Sequence, residues 1–309
     1  MFRIKALLFG INYLDSQYKL KGCINDVMMI KNYLIKYLYV DPDNITVCTD
    51  LTKTKPTKKN IINLINENIN LVNQNYDILW IHYSGHGDYI LDKNDDENKK
   101  NDIIEGNGKF GYDEVLCTID NKFITDDEFN NLFSKLNKNK KLICIFDCCH
   151  SGTILDLKYK YNYKKNVCYI DNNKNNINCD AILFSGCKDI QKSKDVCGWS
   201  KKYKYSGAFT TSILNILRYN NNLSIDNIIE YAKKILEKRN LVQEPQITSS
   251  ILINKYTKLL DINLINLIQK RKIIYIKKIN LCKKLLKIHN NEIYLNYLNY
   301  YTKLLKNIS

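Results

Sequence analysis

Two short segments carry the side chains best suited to chemistry. Tyr83-Ser84-Gly85-His86-Gly87 sets an imidazole between two glycines, and Asp147-Cys148-Cys149-His150-Ser151-Gly152 sets a thiol ahead of small, turn-prone residues. Each follows an apolar run that reads as a buried strand, so each delivers its reactive group where a strand ends. A thiol and an imidazole on neighbouring strand ends are the minimum equipment of a cysteine hydrolase. Cys149 is the expected nucleophile. His86 is the expected base, taking the thiol proton or stabilising the thiolate and then protonating the leaving amine. The backbone N–H groups of Gly87 and Cys149 are expected to bind the oxyanion, since glycine allows close approach to a scissile carbonyl. The other candidates fit less well. Cys148 precedes Cys149 in an extended run, so the two side chains face opposite ways and Cys148 is expected to point into the core. His150 would have to turn back to serve its neighbour, His82 sits inside its strand, and His289 lies on a surface tail.

The elements that must position these groups alternate. Residues 3–11 read as a strand, and the apolar spacing over 24–39 predicts a helix stopped by Asp41-Pro42. Ile45 to Thr49 is a short strand, and Thr57 caps a helix from Lys58 to about Asn73. Strands are expected at 77–83, 115–119, 141–146, 181–185 and 247–253, and helices at 126–136, 207–218 and 224–238. The stretches 88–113, 157–179 and 190–206 read as loops. Strand–helix alternation argues for an α/β domain with a mainly parallel sheet and helices on both faces. In such sheets ligands bind beyond the carboxyl ends of the strands, where His86, Cys149, Asn12 and Gly186 all fall. Domain limits are expected at 1–254, with large and small parts at 1–156 and 181–254 joined by the loop 157–180, followed by a Lys-rich extension at 255–309.

The chain has 309 residues and a formal charge of +15. Residues 255–309 contribute +10 of this, from 11 lysines and Arg271 against Asp261 and Glu292. Only Arg3, Arg218, Arg239 and Arg271 are arginine, the side chain favoured for phosphate and base recognition, so a solvated surface is preferred to nucleic-acid binding. The 11 cysteines are odd in number and lie partly within apolar runs. They read as reduced thiols of a cytoplasmic protein. No run is apolar enough to span a membrane, and the N-terminal segment is not read as a signal peptide. The extension is expected to form two or three amphipathic helices, with Lys272 to Lys277 an alternative strand. Its apolar residues, Leu260, Leu264, Leu267, Leu281, Leu285 and Ile288, are expected to pack back on the domain. A basic face laid on an anionic membrane is the other reading.

The ordered set of motifs resembles the metacaspases, caspase-like cysteine peptidases of clan CD and family C14. It runs through Leu20-Lys21-Gly22-Cys23-Ile24-Asn25-Asp26-Val27, Pro56-Thr57-Lys58-Lys59-Asn60-Ile61 and His82 to Gly87. It continues through Gly111-Tyr112-Asp113-Glu114-Val115, Ile124-Thr125-Asp126-Asp127-Glu128, Asp147 to Thr153 and Ser185-Gly186-Cys187-Lys188-Asp189. The resemblance implies a caspase-like three-layer fold and a Cys149/His86 dyad. It also implies cleavage after arginine or lysine, with Asp26 and Asp147 lining the primary pocket beside Cys23 and Ser84. A cationic side chain entering such a pocket needs a carboxylate to offset its desolvation. Activation by calcium is implied too, with Asp113, Asp126, Asp127 and Asp156 as ligands. The acidic run Asp92 to Glu97 is not an EF-hand loop, because glutamate stands where glycine is required. The expected protein is a monomeric cysteine endopeptidase acting on peptides with arginine or lysine at the cleaved bond. The alternative is a non-catalytic scaffold acting through its basic tail.

Overall fold

The computed structural model describes residues 2–91, 112–149, 151–172, 176–186, 195–197, 204–220, 222–241, 243–260, 264–289 and 291–306, with backbone alone at 195–197 and 264–271. The acidic run Asp92 to Glu97, His150, Cys187 to Asp189, the side chains of Leu264 and Leu267, and most of the Lys-rich stretch 190–205 lie outside them.

Strands β1 (Ile4–Gly10), β2 (Ile45–Thr49), β3 (Ile78–Ser84), β7 (Lys141–Asp147) and β10 (Asp180–Ser185) form the parallel part of an eight-stranded sheet. β13 (Gln246–Ser249) follows antiparallel, and then β8 (Tyr159–Asn162) and β9 (Val167–Ile170), in the order β2-β1-β3-β7-β10-β13-β8-β9. A three-stranded antiparallel sheet comprises β4 (Gly87–Leu91), β5 (Tyr112–Cys117) and β6 (Phe123–Thr125), and β11 (Asp195–Cys197) pairs with β12 (Tyr205–Gly207).

Helices cover both faces of the large sheet. Those of the domain are α1 (Cys23–Tyr37), α2 (Lys58–Asn75), α3 (Asp126–Phe133), α4 (Ala208–Tyr219) and α5 (Ile225–Lys238). Alternation along each strand sends Ala6, Leu8, Trp80, Ile143 and Ile182 toward α1, α4 and α5, whose residues Ile30, Phe209 and Ile229 share that core. Leu7, Phe9, Ile81, Cys144 and Leu183 meet Ile65 of α2 and Phe133 of α3 on the other side. This is the expected α/β architecture with a mainly parallel sheet.

Three expectations need correction. The stretch 157–179 holds the β8–β9 hairpin, which extends the sheet beyond β13, rather than only a loop. The loops expected at 88–113 and 190–206 contain β4 and the start of β5, and β11 and the start of β12. Lys272 to Lys277 is helical, as the main reading of the extension has it, inside α6 (Leu264–His289), which packs against α7 (Glu292–Lys306). Leu260 is buried in the core as expected, but Leu281 and Ile288 are exposed and Leu285 is half-buried. The helices of the extension bury Ile279 and Cys282 while leaving Leu281 and Ile288 to solvent, so these two do not pack back on the domain as expected.

Candidate active site

Parallel pairing sets the site. β3 lies between β1 and β7, with Ser84 opposite both Gly10 and Asp147, so three strands end at one level. Beyond these ends the chain reaches Asn12 after β1, His86 after β3 and Cys149 after β7. Gly87 closes the gap between the last two. An added Cβ there would sit 2.0 Å from the Cys149 carbonyl oxygen and 3.4 Å from the Cys148 sulfur. Only glycine permits this backbone-to-backbone contact.

Cys148 is fully buried in the core against α2 and α3, as the alternation of side chains requires, and burial pushes its thiol well above the ordinary range. Cys149 is half-buried. The nine cysteines whose side chains are described carry no disulfide among them. His82 is buried within β3. Burial lowers its imidazole to about 4, while the Ile145 carbonyl, 2.8 Å from Nδ1, works in the opposite direction. It is a packed, neutral residue. His289 is exposed.

His86 is held by neighbours the sequence did not single out. Its Nε2 lies 2.7 Å from the Tyr18 carbonyl oxygen. A carbonyl only accepts, so Nε2 carries the proton in this contact. The His86 backbone N–H donates to the Tyr13 hydroxyl at 2.9 Å, and the two rings lie 4.7 Å apart. The Tyr83 hydroxyl reaches the His86 carbonyl at 2.8 Å and the Cys117 carbonyl at 2.7 Å, and Tyr13 donates to the same Cys117 carbonyl. Burial raises both tyrosines well above the ordinary phenol value, so they stay protonated donors. The strand-end position of Tyr13, after Asn12, was the available sequence signal. The Tyr18 carbonyl has none.

Asp26 and Asp147 come together although they lie on different elements. Asp26, in the first turn of α1, is fully buried and accepts from Ser84 Oγ at 2.8 Å and from the Gly207 N–H at 2.8 Å. It is therefore not the exposed helical acid that position alone would suggest. Asp147, at the end of β7, accepts from the Thr210 N–H at 2.8 Å. A Cβ on Gly207 would lie 2.1 Å from an Asp147 oxygen and 2.6 Å from an Asp26 oxygen. Two carboxylates thus share the N-terminus of α4, whose cap residue supplies no side chain of its own. Helix N-terminal N–H groups and the positive end of the helix dipole make that arrangement tolerable. Cys23 is buried beside this site, its N–H donating to Asn12 Oδ1 at 3.0 Å.

A second acidic group lies near the first turn of α3. Ligand atoms of Asp126, Asp127 and Asp156 fall within 4.8 Å of one another, with Asp126 and Asp156 buried. Asp156 holds φ at 49° and accepts from Asn172 Nδ2 at 2.8 Å, which ties this group to the segment after β9. Asp126 is not the helix cap. Thr125 is, in a capping box with Glu128. Asp113 is buried on β5 but is not part of the trio, although the adjacent Glu114 N–H donates to Asp126 at 3.1 Å.

Residues 4–158 match the family model described as the metacaspase, peptidase C14 domain. The chain belongs to the metacaspase family. It is 35% identical over 236 residues to Metacaspase-1 of Plasmodium falciparum, covering 74% of this chain and 36% of that relative. Metacaspase-1B of Neurospora crassa is 30% identical over 300 residues, with coverages of 80% and 67%. The chain therefore spans about a third of the first relative and two thirds of the second. Among solved structures, Caspase-1 from Spodoptera frugiperda is similar with a TM-score of 0.53 at 13% identity, covering 85% of this chain and 92% of that one. Protein GSU0716 from Geobacter sulfurreducens aligns with a TM-score of 0.55 at 21% identity, covering 84% and 100%. The fold of this metacaspase is caspase-like, and its family is one of cysteine-type peptidases.

Proposed function

We propose that this metacaspase is a cysteine endopeptidase that cleaves after arginine or lysine and is stimulated by calcium. The observation that carries the reading is the contact of Gly87 with the Cys149 backbone, which brings the imidazole-bearing and thiol-bearing strand ends together. With Nε2–H donated to the Tyr18 carbonyl, His86 has Nδ1 left to take the Cys149 proton. The thiolate sulfur then attacks the scissile carbonyl carbon. The N–H groups of Gly87 and Cys149 receive the oxyanion. Collapse breaks the C–N bond, with the proton on His86 passing to the departing amine, and leaves a thioester on Cys149. Water, giving a proton to His86, attacks the thioester and frees the carboxylic acid and the thiol.

Asp26 and Asp147 support a basic primary specificity. Both carboxylates are buried and converge on Gly207 at the N-terminus of α4, with Ser84 Oγ and the N–H groups of Gly207 and Thr210 among their donors. A guanidinium or ammonium from the substrate supplies the complementary charge. Three carboxylates within 4.8 Å, two of them buried, fit a hard divalent cation that prefers oxygen ligands. Asp126, Asp127 and Asp156 would hold calcium, which would supply positive charge that fixes the segment from 153 to 156 after the nucleophile. Asp113 would join only through movement of β5 or through water.

Purified protein is assayed on fluorogenic peptides ending in arginine, lysine or aspartate, with calcium or chelator, beside Cys149→Ala and His86→Ala. Release after arginine and lysine, increased by calcium and lost in both variants, is the expected result. Turnover after aspartate, or turnover surviving Cys149→Ala, would overturn the reading.

A further inference from the structure

We propose that the α6–α7 hairpin is a docking surface for an anionic lipid bilayer. The inference is independent of the peptidase reading. It starts from side chains that the fold leaves without a core. On α6, Ile273, Lys277, Leu281, Lys284 and Ile288 recur at helical spacing and are all exposed, the three apolar members at 51, 55 and 61%. The opposite side of α6 carries Tyr275, Ile279, Cys282 and Leu286, which are buried or half-buried, and Lys278 Nζ lies 4.7 Å over the Tyr301 ring of α7. The apolar residues that the hairpin can bury against itself are thus spoken for, and the stripe is additional. On α7, Ile293, Tyr297 and Tyr300 form a similar exposed row.

Charge selects the occupant. Residues 264–306 hold nine lysines and Arg271 against Glu292 alone. A second copy of the hairpin would bring like charges together, so self-association through this face is opposed. A nucleic acid would engage the lysines but give Ile273, Leu281 and Ile288 nothing to bury against. A bilayer interface takes both: the apolar side chains enter the headgroup–acyl boundary and lysines between them extend toward anionic headgroups. Tyrosine is enriched at that level of a membrane. Among the described residues no helix is long and apolar enough to cross a membrane, so the hairpin would lie on the surface.

The test uses the full chain and flotation with vesicles of phosphatidylcholine, with and without phosphatidylserine, at low and high salt. Binding is expected only with phosphatidylserine, weakening as salt rises. Lys277→Gln/Lys284→Gln/Lys287→Gln should lower the partition coefficient on the order of 100-fold. Leu281→Asn/Ile288→Asn should lower it about tenfold or more, with circular dichroism unchanged because both sites are exposed. Absence of vesicle binding at low salt would overturn the proposal. Vesicle binding unaffected by the Asn substitutions, with equal binding to DNA or polyglutamate, would overturn it in favour of a soluble polyanion. Sedimentation showing dimers that the Asn substitutions dissociate, without lipid binding, would overturn it in favour of a second copy.

Discussion

At position 87 a methyl group would meet the Cys149 carbonyl oxygen at 2.0 Å, so the residue type there decides how closely base and nucleophile approach. Gly87→Ala must push the two strand ends apart. Because a displacement near 1 Å can cost about 100-fold in rate, turnover should fall by about that factor. The fold should persist, since Gly87 is half-buried at the edge of the small sheet. Steady-state kinetics beside a thermal melt checks this, and wild-type turnover in a stable Gly87→Ala protein would show that the contact is incidental. The candidate pair, His86 and Cys149, was named from residue types and strand-end placement, and the strand ends that carry it do meet at Gly87. The pairing of Asp26 with Asp147 was not legible from residue chemistry alone and came from resemblance. Its physical cause, two carboxylates converging on one helix N-terminus 181 residues from Asp26, is a property of the assembled fold.

At the scale of elements, legibility followed burial. β1, β3, β7 and β10 are covered on both faces and therefore read as continuous apolar runs. β8 and β9 carry Lys160, Asn162 and exposed Val167, Tyr169 and Ile170, an edge composition that resembles a loop. Helix starts were clearer: Thr57 caps α2 and Thr125 caps α3, each hydroxyl accepting an N–H at 3.2 Å. The two caps have different tasks. α3 carries Asp126 and Asp127 in its first turn, so fraying there disturbs the acidic trio, whereas α2 carries no acid in its first turn. Thr125→Ala and Thr57→Ala should each cost about 1 kcal/mol. Only Thr125→Ala should also raise the calcium concentration needed for half-maximal activation, by a few-fold. Equal calcium midpoints in the two variants, measured by titration, would separate the trio from the metal.

For the whole molecule, the central sheet makes one buried imidazole a determinant of acid stability. His82 stands between β1 and β7, opposite Leu8 and Ile145, with its Nε2 buried and lacking a hydrogen-bond partner among the described residues. Its folded value of about 4 lies below the ordinary 6.5 because burial penalises the charged ring. The sign follows from proton counting. Between these values the unfolded chain binds a proton that the native protein refuses, so stability is intact above pH 6.5 and declines as pH falls toward 4. Between pH 7.5 and 5 the loss should be about 2 kcal/mol, from roughly 1.4 kcal/mol per pH unit once the unfolded imidazole is charged. Carboxylates titrate at lower pH than the histidine, so its contribution is best isolated by substitution. His82→Asn can keep a donor near the Ile145 carbonyl while removing the titration. Urea unfolding at the two pH values should show a shallower dependence in His82→Asn than in the parent chain, by about that amount. Parallel curves for the two proteins would mean that water or local opening hydrates the ring, and that the core between α1, α4 and the sheet is less closed than its packing implies.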